Sequence, residues 1–308
     1  MVNGTATQQP KVAFERCFHI LLEQRLFSPP SNRALQPAVE ALISNYNRAL
    51  LAARVPLDMA KTGIWIMLLS QIASGDQARF LHIQSDPMFR SPVMDLAIDP
   101  LAIKIVQNAG DNNKDDNGLK GQGLQSILSG VITASWSAFE VLAGDLWEVF
   151  LNQRPRLAIM ALGAEKNAAT GDRVTIPQRL FWESGFNFAE SMGRVARESR
   201  RWDFARRDDA ERAYRAVLPK QRRQIAAIFQ ETSLKWLAAT RNTILHNASI
   251  ADSQFLKLVA AHPTLSLLGV GDTLPIDGAL AGELSAAAFV QAKSLIILID
   301  TWLTQNPK

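Results

Sequence analysis

Apolar residues recur with helical spacing along most of the chain. Strict alternation of apolar and polar residues is rare, and Ala and Leu dominate the apolar set. The clearest i, i+3, i+4 stripe runs from Leu124 to Val149 and predicts a long helix over residues 124–153, which Pro155 ends. The pattern therefore predicts an all-α protein.

Further helices are predicted on both sides of this stripe. Their predicted ranges are 11–27, 32–54, 57–74 and 92–107 before it, and 174–201, 208–217, 222–246, 255–261 and 283–303 after it. A break is expected near Glu231 and Thr232. Residues 263–282 contain several glycines and two prolines and are predicted to form a loop.

One polar segment divides the chain. Residues 109–123 are rich in Gly, Asn and Asp, and Leu119 is their one bulky apolar residue, which predicts a linker or loop. The predicted organisation is an N-terminal helical region over 1–108 with no assigned role, this linker, and a helical domain over 124–308. Composition leaves open whether these are two domains or one domain with a long loop.

Composition limits the chemistry. With 47% hydrophobic and 20% charged residues among 308, the chain is globular and long enough to bury a core. The single cysteine, Cys17, excludes an intrachain disulfide and a cysteine-based zinc site. The four histidines are scattered along the sequence, so we expect neither a metal nor a cofactor.

The sequence also bears on location. The N-terminus is polar and lacks the apolar region of a signal peptide. The longest uninterrupted apolar runs fall far short of the ~20 residues that span a membrane. We therefore expect a cytoplasmic protein that does not enter a membrane.

Positive charge is concentrated in one segment. The net charge is only +4, but residues 190–223 hold 11 basic and 6 acidic side chains. Such a segment can attract a polyanion, and it can equally be a solvated helix pair linked by ion pairs. The candidate RNA-binding residues are Arg194, Arg197, Arg200, Arg201, Arg206 and Arg207.

A chemically suggestive motif ends the helix predicted over 222–246. It reads Arg241-Asn242-Thr243-Ile244-Leu245-His246. Asn242 and His246 are four residues apart and share a helix face, whereas Arg241 lies about 140° around the helix from His246. The long arginine side chain, or fraying of the last turn, must therefore bring the two together.

The residues around the motif predict how it is held. Ile244 and Leu245 are expected to pack inward. Asn247 suits a left-handed C-cap, which places His246 in the last helical turn. There the helix dipole favours a positively charged imidazole.

These three residue types are suited to RNA cleavage without a metal. Histidine gives or takes a proton near neutral pH, and arginine makes permanent, bidentate contacts with phosphate. Asn242 can orient His246 or hold the phosphate. One chain supplies one base or acid, so a two-fold dimer would supply both. The alternative interpretation gives the motif no function: the histidine only caps the end of the helix, and the Arg-Asn pair is an ordinary pair of surface residues.

The motif and its surroundings resemble the HEPN superfamily, whose mark is Arg, a polar residue, a few more residues and His at a helix end. Residues 136–140 followed by Leu146-Trp147 resemble the family's first core helix. Residues 186–217 resemble the middle helices of one subgroup. The resemblance covers about 124–305, and residues 1–108 match nothing we can name.

The resemblance implies a helical bundle that dimerises through the motif helices. Active members cut RNA without metal, leave a 2′,3′-cyclic phosphate, and often act as toxins or in phage defence under a neutralising partner. If the roles of the family's motif residues apply here, Arg241 and His246 are catalytic and Asn242 supports them. Glu140 is a weaker candidate, because the corresponding helix faces the site in some members of the family.

The superfamily also has members without activity. The alternative function is therefore a non-catalytic module that binds RNA, a nucleotide or a protein. The unassigned residues 1–108 favour this alternative, since a bare nuclease does not need them.

Overall fold

The computed structural model describes residues 30–48, 51–53, 117–162, 176, 178–183, 188 and 191–307. These residues are 79% helical and contain no strand, which confirms the all-α prediction. The α-helices among them are α1 (36–48), α2 (Asn117–Gln153), α3 (Pro155–Leu162), α4 (Gln178–Glu183), α5 (Met192–Arg200), α6 (Arg207–Val217), α7 (Arg222–Phe229), α8 (Thr232–His246), α9 (Ser253–Leu258) and α10 (Gly278–Gln305).

The core forms where three helices meet. The two longest, α2 and α10, pack along each other, and α8 contacts both. The predicted stripe of α2 faces this core, because Leu128, Ile132 and Leu146 are fully buried. A buried hydrogen bond of 3.0 Å joins the hydroxyls of Ser135 and Ser285 across the α2–α10 interface. Contacts with both long helices therefore position α8, and with it the motif.

The described N-terminal residues pack onto the same core. The backbone N–H groups of Ser31 and Asn32 donate to the two carboxylate oxygens of Asp300 at 2.8 and 2.7 Å. Leu35 is fully buried, and the Tyr46 ring lies 5.5 Å from that of Phe289. The predicted helices over 11–27, 57–74 and 92–107 lie outside the described residues.

Helix α2 ends where it was predicted to, but it begins earlier. It starts at Asn117, so the linker prediction over 109–123 is wrong for residues 117–123, and residues 109–116 lie outside the described part. Extending a helix costs much less than nucleating one, so the stripe beginning at Leu124 supports a more polar turn before it. Pro155 ends α2 and also opens α3, where its missing N–H costs nothing.

Two further predictions have different outcomes. The single helix predicted over 174–201 is wrong, because α4 and α5 are separate helices. The break predicted near Glu231 is confirmed: α7 ends at Phe229 and α8 begins at Thr232. The Glu231 carboxylate accepts the N–H of Leu234 at 3.0 Å and so caps α8.

Two helices are long and apolar enough to cross a membrane by length and composition. They are α2, from Gly123 onward, and α10. In each, 56% of the most apolar window is buried inside the protein, so the two helices are weak evidence for a membrane span. The cytoplasmic, membrane-free location stays a prediction.

A buried histidine links α8 to α10. The Nδ1 atom of His262 accepts the N–H groups of Thr264 and Leu265, both at 3.1 Å. Its ring packs edge-on against Trp236 at 4.7 Å, and its Nε2 lies 3.5 Å from a carboxylate oxygen of Glu283. Burial lowers the pKa of His262, and the Glu283 charge opposes that shift only in part.

We expect this histidine to make the fold less stable in mild acid. Because its pKa is lower in the folded chain, the unfolded chain binds the proton first as the pH falls below about 6.5, and the free energy of unfolding drops. His262→Asn keeps an acceptor for the two N–H groups but does not titrate, so its urea denaturation between pH 7 and pH 5 should show a flatter slope. Leu267→Asn, at an exposed side chain that does not titrate, is the control and should keep the slope. An unchanged slope in His262→Asn would contradict the assignment.

Candidate functional site

The end of α8 lines a cleft of about 640 Å³, which we call the motif cleft. Its walls come from α8, from the start of α6 with the two residues before it, from α9, and from Trp136 of α2. Arg241, Asn242 and His246 all line it. The structure therefore brings together the three residues that the sequence motif singles out.

The last turn of α8 closes differently from the prediction. Asn247 has φ −121°, so its prediction as a left-handed cap is wrong. The left-handed residues are Ala248 and Ser249, with φ 50° and 63°, and the Ser249 N–H donates to Thr243 O at 3.1 Å. The Asn247 side chain is used elsewhere, because it donates to Asp252 at 2.7 Å and so ties α8 to the N-cap of α9.

The inward face of the motif also differs from the prediction. Ile244 is half-buried against the core, as expected. Leu245, however, is 48% exposed, so the prediction that it packs inward is wrong. Thr243 is buried in its place. The core lies on the Thr240 and Thr243 side of α8, and an ideal helix then turns Leu245 and His246 toward solvent.

The polar side chains of the motif differ in their hydrogen bonding and in their exposure to solvent. The Nη1 atom of Arg241 donates to Asn242 Oδ1 at 2.9 Å. The Arg241 Nε is buried and has no hydrogen-bond partner among the described residues. Asn242 and His246 are exposed. The arrangement presents a positioned guanidinium and a solvent-accessible imidazole on one wall of the cleft.

Glu140 lies on α2 near Arg241. Burial raises the pKa of its carboxyl, while the Arg241 charge and a hydrogen bond from the Trp136 side chain act in the opposite direction. Trp136 itself lines the motif cleft. Glu140 is therefore close enough to Arg241 for the two charges to act on each other.

Three further cations line the motif cleft. Arg206 and Arg207 were candidates from the sequence, and Lys235 was missed. Arg207 pairs with Asp208 at 2.8 Å, whereas Arg206 is exposed and makes no ion pair with a described residue. Lys235 precedes Asn242 by seven residues, two helical turns, so heptad spacing was the signal that would have found it.

The other candidate arginines do not join this cleft. Arg194 pairs with Glu183 and Glu198, and Arg197 pairs with Glu148 at 2.8 Å. Arg200 and Arg201 line a second cavity of about 620 Å³ between α3, α5, α6 and α7. The basic segment is therefore distributed over three places, and ion pairs account for part of it.

Within the described ranges, no group of three or more His, Cys, Asp or Glu side chains could hold a metal ion. Comparison of the chain with family models, curated proteins and solved structures finds no match. The case for a function therefore depends on the residues of the motif cleft.

Proposed function

We propose that the protein is an endoribonuclease that cleaves RNA at the motif cleft without a metal ion. The observation that carries the proposal is the meeting of an exposed histidine with four cationic side chains, Arg206, Arg207, Lys235 and Arg241, in one cleft. The resemblance of the motif to the HEPN superfamily supports the same proposal. RNA is the substrate because it carries its own nucleophile beside each phosphate.

The chemistry requires only proton transfer and charge. The 2′-oxygen attacks the adjacent phosphorus, its proton passes to a base, and the 5′-oxygen leaves with a proton from an acid. His246 serves as the base or the acid, and Arg241 neutralises the charge on the phosphorane oxygens. Asn242 fixes the guanidinium through its 2.9 Å hydrogen bond. The products end in a 2′,3′-cyclic phosphate and a 5′-hydroxyl.

The cleft cations also account for binding. Arg206 and Lys235, which line the same cleft, neutralise neighbouring backbone phosphates, which gives salt-dependent affinity without sequence preference. The test is a cleavage assay on mixed RNA in excess EDTA, with the product ends identified. Binding to RNA without cleavage, by a folded protein, would instead support the non-catalytic module.

Two copies of the chain complete the site in this proposal. Leu245 lies one residue before His246 and is 48% exposed, and Leu258, at the edge of the motif cleft, is 49% exposed. Exposed leucines beside a polar site are suited to contact with a second copy. The partner's copy of His246 would then supply the second proton-transfer group.

Leu245→Glu is expected to convert a dimer into a monomer and to remove cleavage, since a charge would be buried at the contact. The matched control is Ile297→Glu on α10, an apolar side chain of similar exposure at 53% that is far from the motif in sequence. Sedimentation velocity and the cleavage assay measure both variants. A monomeric Leu245→Glu variant with full activity would contradict the composite site.

The cellular role rests on the resemblance. A toxin or phage-defence effector held by a neutralising partner in the cytoplasm is the role that the resemblance favours. This role requires the RNA cleavage that is proposed above.

A further inference from the structure

The second cavity, which we call the arginine cavity, is lined by residues that the proposed cleavage does not use. Its cationic residues are Arg200, Arg201, Arg212, Arg215 and Arg222. Asp209 is the one acidic residue in its lining, and it pairs with Arg212. Arg215 pairs with Glu211 at 3.1 Å. Positive charge is therefore in excess around a space large enough for a small molecule.

Helix ends explain only part of this cluster. Arg200 and Arg215 lie in the last turns of α5 and α6, where a cation is favourable. Arg222 is the first residue of α7, whose first turn contains no acidic residue. There the helix dipole opposes a positive charge. An anion in the cavity would compensate both the dipole and the neighbouring guanidinium groups.

Two buried donors in the cavity lining have no acceptor among the described residues. The Trp202 Nε1 and the Arg215 Nε are buried and make no hydrogen bond with a described residue. Leaving such a donor unsatisfied costs about 1–3 kcal/mol. Both atoms belong to residues that line the same cavity, so an acceptor-rich ligand would reach them only after these side chains turn toward it.

The backbone at Arg201 adds a third observation. Arg201 has φ 53° and ψ 42°, a left-handed conformation that favours glycine. It makes no ion pair with a described residue, and it lines the arginine cavity. The Arg201 N–H donates to the carbonyl oxygens of Arg197 and Glu198, as a left-handed residue does where a helix ends. What bears on the cavity is therefore the Arg201 guanidinium, which adds a positive charge to its lining.

We propose that the arginine cavity binds a small ligand carrying a chain of two or more phosphates. Guanidinium groups bind phosphate oxygens in pairs, and the surplus of cations matches several negative charges rather than one. A nucleotide and inorganic polyphosphate both offer this chemistry. The proposal is independent of RNA cleavage, because the motif cleft is formed by other residues.

Isothermal titration calorimetry of the full chain with sodium triphosphate at about 0.15 M salt tests the site. Arg222→Gln is expected to weaken binding about tenfold or more, since a charge-assisted contact is lost. Arg201→Gly is expected to weaken binding while raising the melting temperature, because glycine relieves the left-handed strain. Weaker binding by an Arg201→Gly variant that melts at a higher temperature shows that a ligand contact was lost and that the protein did not unfold.

Two control variants locate the binding. Arg223→Gln removes an exposed cation next to Arg222 that does not line the cavity, and Lys293→Gln removes an exposed cation on α10 that lines neither the cavity nor the motif cleft. Both should bind triphosphate as the wild type does. Absence of binding to the wild type, or equal loss in the control variants, would overturn the proposal.

Titration with ATP, compared with triphosphate, distinguishes a nucleotide from an inorganic polyphosphate as the ligand. Equal affinity for ATP and triphosphate indicates that the phosphates alone are recognised. Tighter binding of ATP indicates that the base also contacts the protein. If Arg222→Gln weakened RNA binding while triphosphate failed to bind, the cavity would be part of an RNA path and the proposal would be wrong.

Discussion

His246→Ala is expected to reduce RNA cleavage in EDTA by about 10²–10⁴-fold, the usual contribution of a positioned proton-transfer group. The loss should appear without loss of folding, because His246 is exposed and lies in the last turn of α8. Circular dichroism and thermal melting of the variant check the fold, and gel analysis of RNA products measures the activity. Arg241→Lys should also lose activity, since lysine does not make the bidentate phosphate contact.

The matched control is another described histidine. His262→Asn changes a buried residue that does not line the motif cleft, so cleavage at pH 7.5 should persist. Cleavage by His246→Ala at the wild-type rate, with the same product ends, would refute the proposed role of His246. Loss of activity in both histidine variants would point to folding instead.

Gly193→Ala is expected to lower the free energy of unfolding by about 1–3 kcal/mol, the range for overpacking a tight contact. Gly193 is the second residue of α5 and lies directly against α2. A Cβ atom here would lie 2.7 Å from the carbonyl carbon of Glu148 and closer still to its carbonyl oxygen. The Gly193 N–H also donates to Asn152 Oδ1 at 2.8 Å, which ties the two helices together.

Gly130→Ala is the control for this substitution. Gly130 lies within α2, and a Cβ there would meet nothing within 4 Å. Alanine should therefore stabilise the protein by about 0.5–1 kcal/mol through its better helix propensity. Urea denaturation of the two variants measures the difference. Equal effects of the two substitutions would show that α5 moves away from α2 at little cost.

Local patterns predicted much of the helical part and some of its ends. The stripe from Leu124 to Val149 predicts a buried face, and Pro155 correctly marks where α2 stops. Glu231 also marks a real boundary, because its carboxylate caps α8. Capping, proline geometry and helical periodicity each involve residues that are close together in the sequence. They can therefore be predicted from the sequence alone.

Other features depended on partners that are distant in sequence. Glycine has a low helix propensity, yet the packing of α5 on α2 requires Gly193. Leu245 reads as a core residue, but the core lies on the Thr243 side of α8. Likewise, the basic segment reads as one surface, and folding divides it among ion pairs, the motif cleft and the arginine cavity.

The sequence by itself determined the all-α class, the motif and the concentration of positive charge. Only the tertiary structure decided that Lys235 and Arg206 join His246 in one cleft, while Arg200 and Arg201 belong to another cavity. The physical reason is that periodicity and capping are local, whereas the meeting of side chains from α6, α8 and α9 depends on how whole helices pack.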